Sequence, residues 1–428
     1  MTAPAALAAL ARRLGLFDAV MIGLGSMLGA GVFVAFAPAA RAAGDALLVS
    51  LTIAAVVAFC NATSSAQLAA RYPTSGGTYF YGREELGPWP GFLAGWCFVI
   101  GKTASVAAMA LTAAAYLVPD AWQRPAAVAI VWALAAANLR GITRTARITR
   151  LLAFTVLAVL ALVVALGWTG GGASGPSHPT PTSALGILQG AGLLFFAFAG
   201  YARIATMGEE VVEPRRTIPR AILLALGIAL MVHLAVGTTL LHTLGARALG
   251  ASTAPVASLV QAVDADWASP LVRLGAAAAA VGAVLNLMTG IGRTTLAMAR
   301  EGDLPRALAV IEPVHQVPRR AELTLAGVVT VLVLLTDLRG AIGFSSFGVL
   351  LYYFVANAAA WHQSEDRRYP RFLQGFGMAL CLLLVATLPW TSVVAGVAVL
   401  AIGAVGRLIV RHGSCEDRTE RKEGGLLP

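Results

Sequence analysis

"GLGSMLGAGVF", Gly23–Phe33, sets four glycines and a serine inside the first long apolar run of this chain. Glycine loosens a helix and lets a backbone come close to something else. A membrane helix ought to be firm there, so the stretch reads as a break with a purpose. The chain around it has 428 residues, 58% of them hydrophobic and 12% charged, and a mean hydropathy of +0.77. Its apolar residues come in runs of about twenty, which matches the hydrocarbon core of a bilayer. Twelve such runs stand at roughly 16–40, 44–70, 88–118, 121–138, 145–168, 184–212, 218–243, 270–300, 320–337, 341–362, 372–389 and 391–411. A soluble globular fold does not fit this pattern.

The net charge of +10 is distributed by side of the membrane. With both termini inside, the inner segments hold Arg12, Arg13, Arg71, Arg83, Arg140, Arg144, Arg147 and Arg150. They continue with Arg215, Arg216, Arg220, Arg300, Arg306, Arg319, Arg320, Arg367, Arg368, Arg371 and the C-terminal cluster. The outer loops keep Arg41, Arg124, Arg247, Arg273 and Arg339. That asymmetry follows the positive-inside rule and accounts for the basic balance without a nucleic-acid partner. Cys60, Cys97, Cys381 and Cys415 have neither metal-ligand nor disulfide-framework spacing. Arg12 and Arg13 follow a short Ala/Leu stretch, the wrong order for a cleaved signal peptide, so the N-terminus reads as cytoplasmic.

A second interruption gives the first its meaning. Run six carries "FFAFAGYARIATMGEE", Phe195–Glu210, with small residues near its middle. The Gly/Ser/Pro-rich stretch "GGGASGPSHPTPTS", Gly170–Ser183, divides the first ten runs into two groups of five of opposite orientation. Matching breaks in the opening helices of two inverted halves are a sequence pointer to a transport site. Small-residue helix packing is the competing explanation, since Gly25 and Gly29 form a small-xxx-small pair. The glycines also imitate a dinucleotide fingerprint with Asp45 downstream, but no strand precedes them and the third glycine is missing.

Four stretches now resemble, in order, the amino acid–polyamine–organocation superfamily, in its amino acid permease branch. They are "GSMLGAGVF", "RYPTSGGTYFYGREELGPWPGFLAGW" (Arg71–Trp96), "GEEVVEPRRTIPRAI" (Gly208–Ile222) and "RTTLAMAREGDLP" (Arg293–Pro305). The resemblance implies an all-α membrane protein of twelve transmembrane helices. It implies a LeuT-type five-plus-five inverted repeat, discontinuous helices one and six, and two extra C-terminal helices. The divisions expected are a cytoplasmic N-terminus at 1–15, helices one to five at 16–168 and an outer loop at 169–183. Helices six to ten follow at 184–362, then helices eleven and twelve at 372–411 and a cytoplasmic tail at 412–428.

The same resemblance implies a site. Unwound helix one offers backbone N–H groups to a substrate carboxylate, which physically is anion binding at a helix N-terminus. Ala30 and Gly31 would be those donors, with Ser26 and Gly29 beside them. Carbonyls of Met27, Phe196 and Ala199 would accept the substrate ammonium, and Phe198 and Tyr201 would wall or gate the pocket.

Only two of the 31 Lys and Arg residues are lysines, Lys422 in the tail and Lys102 near the middle of span three. A lysine at a helix centre costs about 2.5–3.5 kcal/mol on insertion scales. Lys102 therefore binds carbonyls of a broken helix or spends time neutral, which would make it a proton-coupling group; a static ammonium and snorkelling are the alternatives. Where many relatives place a lysine in span five, in the position of a sodium ion, this chain has Val156. Span eight supplies no hydroxyl in "GAAAAAVGAVLNLM", Gly275–Met288, so no sodium site is evident and a proton is the expected coupling ion. Arg203 either pairs with Glu210, seven residues along a helix face, or holds an acidic substrate side chain; the ion pair is the expectation.

The six histidines are scattered and form no HExxH or carboxylate cluster, so no catalytic or metal site is expected and the chain is read as no enzyme. A channel would want a charged ring or a carbonyl filter. What remains is a proton-coupled amino acid permease of the plasma membrane. An exchanger or uniporter, or a non-transporting nutrient sensor on the same fold, is the alternative. The partners expected are a small-molecule substrate and the lipid bilayer, with no obligatory protein partner.

Overall fold

A bilayer leaves no water for an unpaired backbone group, so an apolar run inside it must close its hydrogen bonds as a helix. The computed structural model describes residues 14–29, 31–74, 76–140, 146–170, 182–208, 210–312 and 317–423. Among these residues the regular structure is helical, apart from one isolated parallel bridge between Leu14 and Val211. Ala30, Glu209 and most of the loop expected at 169–183 lie outside the described residues.

The first run splits into α1 (Leu16–Met27), α2 (Gly31–Val34) and α3 (Phe36–Ala43). Gly44, at φ 57°, then turns the chain into α4 (Leu47–Arg71). Next come α5 (Gly77–Leu86), α6 (Pro88–Leu117), α7 (Gln123–Leu139) and α8 (Ala146–Thr169). The second interrupted run forms α9 (Ala184–Phe198), a 3₁₀ turn at Ala199–Tyr201, and α10 (Ala202–Ala205). Beyond it lie α11 (Pro214–Ala251), α12 (Pro255–Ala262), α13 (Ser269–Arg300) and α14 (Arg319–Leu335). The chain closes with α15 (Leu338–His362), α16 (Arg371–Thr387) and α17 (Trp390–Glu423).

Nine helical runs among the described residues are long and apolar enough to cross a membrane. The other three expected positions are filled by α7, α14 and α16, each of 17 residues. At 1.5 Å per residue these reach about 26 Å, the short end for a spanning helix. Two expectations change. The loop expected between spans two and three contains α5, bounded by Gly76 and by Gly87 at φ 100°. And α17 continues as helix to Glu423, so the stretch expected as a tail from 412 begins helical, because Glu, Arg and Lys are good helix formers.

The middle of the bundle is α6. In its most apolar window 94% of residues are buried, against 17% for α17. It packs on α13 and α15, while α4 packs on α9 and α11. Small side chains let these helices approach, and polar side chains bond across them. Asn357 of α15 accepts from Ser64 at 2.6 Å and donates to Asn61 at 2.6 Å, tying α15 to α4.

Candidate functional site

The two breaks lie back to back. A Cβ added to Gly31 would stand 2.5 Å from the Ala197 Cα, and one added to Gly200 would stand 2.5 Å from the Ser26 carbonyl carbon. No side chain fits at either position, so glycine here is what allows two backbones to meet. α1 ends at Met27, whose backbone nitrogen would lie 2.6 Å from that same Gly200 Cβ. Gly29 faces Ala283 of α13.

Helix ends at this depth leave carbonyls without partners, and they must be met by side chains. Lys102 of α6, 5% exposed, donates its Nζ to the Ala199 carbonyl at 3.0 Å. The Tyr353 hydroxyl also points to that oxygen, at 3.5 Å. Tyr81 of α5 donates to the Ala205 carbonyl, the end of α10, at 3.1 Å. Both frayed ends of the second interrupted helix are thus capped from elsewhere in the fold.

Ser26, Lys102, Ala199 and Arg203 line one cavity of about 40 Å³, which also meets Phe98, Asn286 and Arg293. That volume takes a water or two and no amino acid. Ser26 spends its hydroxyl on the Ile22 carbonyl at 3.0 Å. Elsewhere the start of α1 is tied to the chain after α10 by the bridge between Leu14 and Val211, where the Leu14 amide donates to the Glu210 carbonyl at 3.0 Å. Phe98 and Arg293 were not singled out by sequence, and Asn286 stood out only as the one polar side chain of "GAAAAAVGAVLNLM". Their signal was helical phase, since Phe98 is one turn from Lys102, and Asn286, Gly290 and Arg293 share one face of α13.

Three expectations about side chains are corrected. Arg203 and Glu210 do not pair. Helix α10 stops at Ala205, so no continuous face joins them, and Arg203 donates to the Thr206 hydroxyl at 3.2 Å. Glu210 pairs with Arg293 at 3.4 Å instead. Phe198 lies against His233 of α11, with ring centroids 4.8 Å apart, and Tyr201 lies against Tyr353 at 5.0 Å. Neither ring borders the cavity beside Lys102, because at about 100° per residue Phe198 stands about a third of a turn, and Tyr201 more than half a turn, from Ala199. The Phe196 side chain is buried and turned away from that cavity, which leaves the expectation for its carbonyl untouched.

A smaller cavity, of about 20 Å³, separates α1, α8 and α13. Val156 lines it with Gly25, Gly29 and Ala279, and Thr149 and Asn286 bring its polar side chains.

A second charged cluster, unforeseen from sequence, closes the arginine-rich face. Asp303, in the loop after α13, accepts from Arg407 Nε at 2.8 Å, Arg83 at 3.0 Å, Arg411 at 3.2 Å and the Tyr79 hydroxyl at 2.9 Å. The Arg407 guanidinium also stacks on Trp89 and Phe92, at 4.3 and 4.7 Å from their centroids. Burial first, and the Asp303 carboxylate second, push the Tyr79 phenol well above its ordinary range, so it remains a donor. The cluster joins α5, α6 and α17 across that face.

Comparison with known proteins adds a frame for this geometry. Residues 14–409 match the family described as amino acid permease. An uncharacterized transporter of Mycobacterium tuberculosis is 52% identical over 424 residues, covering 97% of this chain and 96% of its own. The branched-chain amino acid permease BcaP of Bacillus subtilis is 25% identical, covering 92% of each chain. The methylthioribose transporter of the same organism is 28% identical over 80% of this chain and 77% of its own.

Proposed function

From the premise that this chain belongs to the amino acid permease family, and is therefore an integral membrane protein of a transporter family, we propose that it carries amino acids across the plasma membrane by alternating access. We take the fold as twelve spans with a five-plus-five inverted repeat and both termini on the arginine-rich, cytoplasmic face. The observation that carries this reading is the apposition of the two breaks through Gly31 and Gly200. Broken helices meeting at membrane depth are what a midplane substrate site needs.

The substrate carboxylate meets the N–H groups where the first run resumes at Gly31, with Ala30 and Gly29 adjacent. Its ammonium meets the carbonyls of Met27, Phe196 and Ala199. In the contracted cavity Lys102 already holds Ala199, so binding and Lys102 compete for one oxygen. That competition is a coupling device: a proton leaving Lys102 releases the carbonyl, and a proton returning reclaims it. The small cavity beside Val156 offers few oxygens for a hard cation, which fits proton rather than sodium coupling.

The test is uptake into proteoliposomes in sodium-free buffer under an imposed pH gradient, with wild type beside Lys102→Ala. Accumulation by the wild type and mere equilibration by the variant is the expected result. If both only equilibrate, coupling through Lys102 is wrong and facilitated diffusion or exchange replaces it.

A further inference from the structure

We infer that the substrate carries a second negative charge: an acidic amino acid whose side-chain carboxylate is received by Lys102 and Arg203. This rests on the reading of the central cavity as the substrate site, and it goes beyond that reading by assigning the substrate's charge.

The cavity is lined by three cations, Lys102, Arg203 and Arg293, and by no carboxylate among the described residues. Glu210 neutralises Arg293 from the rim. Among the described residues neither Lys102 nor Arg203 has an acid within ion-pair distance, and Arg203 feels Glu210 only at longer range: one rests on the Ala199 carbonyl and the other on the Thr206 hydroxyl. That hydroxyl is itself turned to the Arg203 carbonyl at 2.9 Å, so it is a neutral and shared acceptor. Buried charges are ordinarily paired, and an unpaired couple facing one cavity marks what is missing from it.

Competition at Ala199 sorts substrates by charge. Any amino acid that brings its ammonium to this carbonyl must displace Lys102. A second carboxylate gives the displaced ammonium a better partner than the one it leaves, trading an ion–dipole contact for an ion pair. A neutral side chain offers no such partner, so the carbonyl is freed only when Lys102 gives up its proton. A cationic side chain adds repulsion to that loss. The order of preference is therefore acidic, then neutral, then cationic, and much of it is exclusion rather than attraction.

The opposite mouth has the same bias. A cavity of about 350 Å³ there is lined by Arg41, Arg124 and Arg339 against Asp120 and Asp337. Asp337 is partly spent as the cap of α15, accepting from the Gly340 amide at 2.7 Å. A positive entrance raises the local concentration of anions.

The experiment is a competition panel on wild-type protein in proteoliposomes, using counterflow of a labelled amino acid mixture. Aspartate, glutamate, their amides, leucine and arginine serve as competitors. The acidic members should inhibit at concentrations lower than their amides by about tenfold or more, the value of one good charge-assisted contact. Arg203→Gln should narrow that gap while a thermal-shift titration confirms that the variant is folded and still binds. If amides or leucine compete as well as the acids, this inference is overturned and the permease reading stands. Absence of counterflow with every amino acid would overturn both.

Discussion

Lys102 and Asp303 are both deeply buried charged groups, and they are provided for in opposite ways. Asp303 has both oxygens filled, by three arginines and a tyrosine, and its side chain is 0% exposed. Lys102 brings three donors and has a carbonyl for one of them, with a cavity beside it. A saturated charge has nothing to gain by moving, whereas an under-provided one has. The difference separates a closure that holds the fold from a group placed to exchange partners.

Three substitutions probe that contrast, and the largest effect belongs to the saturated site. Asp303→Asn removes the charge that three guanidiniums share, and the loss should reach about 3–5 kcal/mol, as when one partner of a buried ion pair is deleted. A thermal melt in detergent should fall by many degrees; an unchanged melt would show the network to be ornamental. Arg407→Lys keeps the charge but loses the planar stack on Trp89 and Phe92, and should cost about 1 kcal/mol in the same assay. A full Asp303-sized loss there would mean that guanidinium geometry, not charge, holds the cluster. Lys102→Met should leave the melt within about 1 kcal/mol of wild type or raise it, because an apolar side chain of similar volume removes a desolvation cost. Substrate-driven flux should nevertheless disappear. A variant that melts early and still transports would exchange the roles assigned to the two sites.

How much of this could be read in advance differs along the chain. The first break was legible because "GLGSMLGAGVF" announces itself through residue type, and the second because "FAFAGYA" repeats the signature in a later apolar run. Lys102 was legible as an anomaly, a lone lysine amid apolar residues. Its partner was expected only as one carbonyl or another of a broken helix. The Arg203–Glu210 pair failed because an i, i+7 argument assumes an unbroken helix, and α10 ends two residues after Arg203. The aromatic assignments failed at the same place, for a one-residue difference in phase sends Phe198 to His233 and away from the cavity. Nothing local marked Asp303, since Arg83 lies 220 residues away in sequence and Arg407 lies 104.

By itself the sequence determined that this chain is a bundle of membrane helices, which of them are interrupted, and where an unpaired cation would sit. Hydropathy and glycine content are properties of single residues and their immediate neighbours, so they survive without a fold. Tertiary structure alone decided which carbonyl Lys102 meets, which acid Arg293 takes from Arg203, and that α17 is pinned to α5 through Asp303. Those are matters of pairing between distant segments, and a buried charge accepts whichever partner the packing of the helices brings within reach.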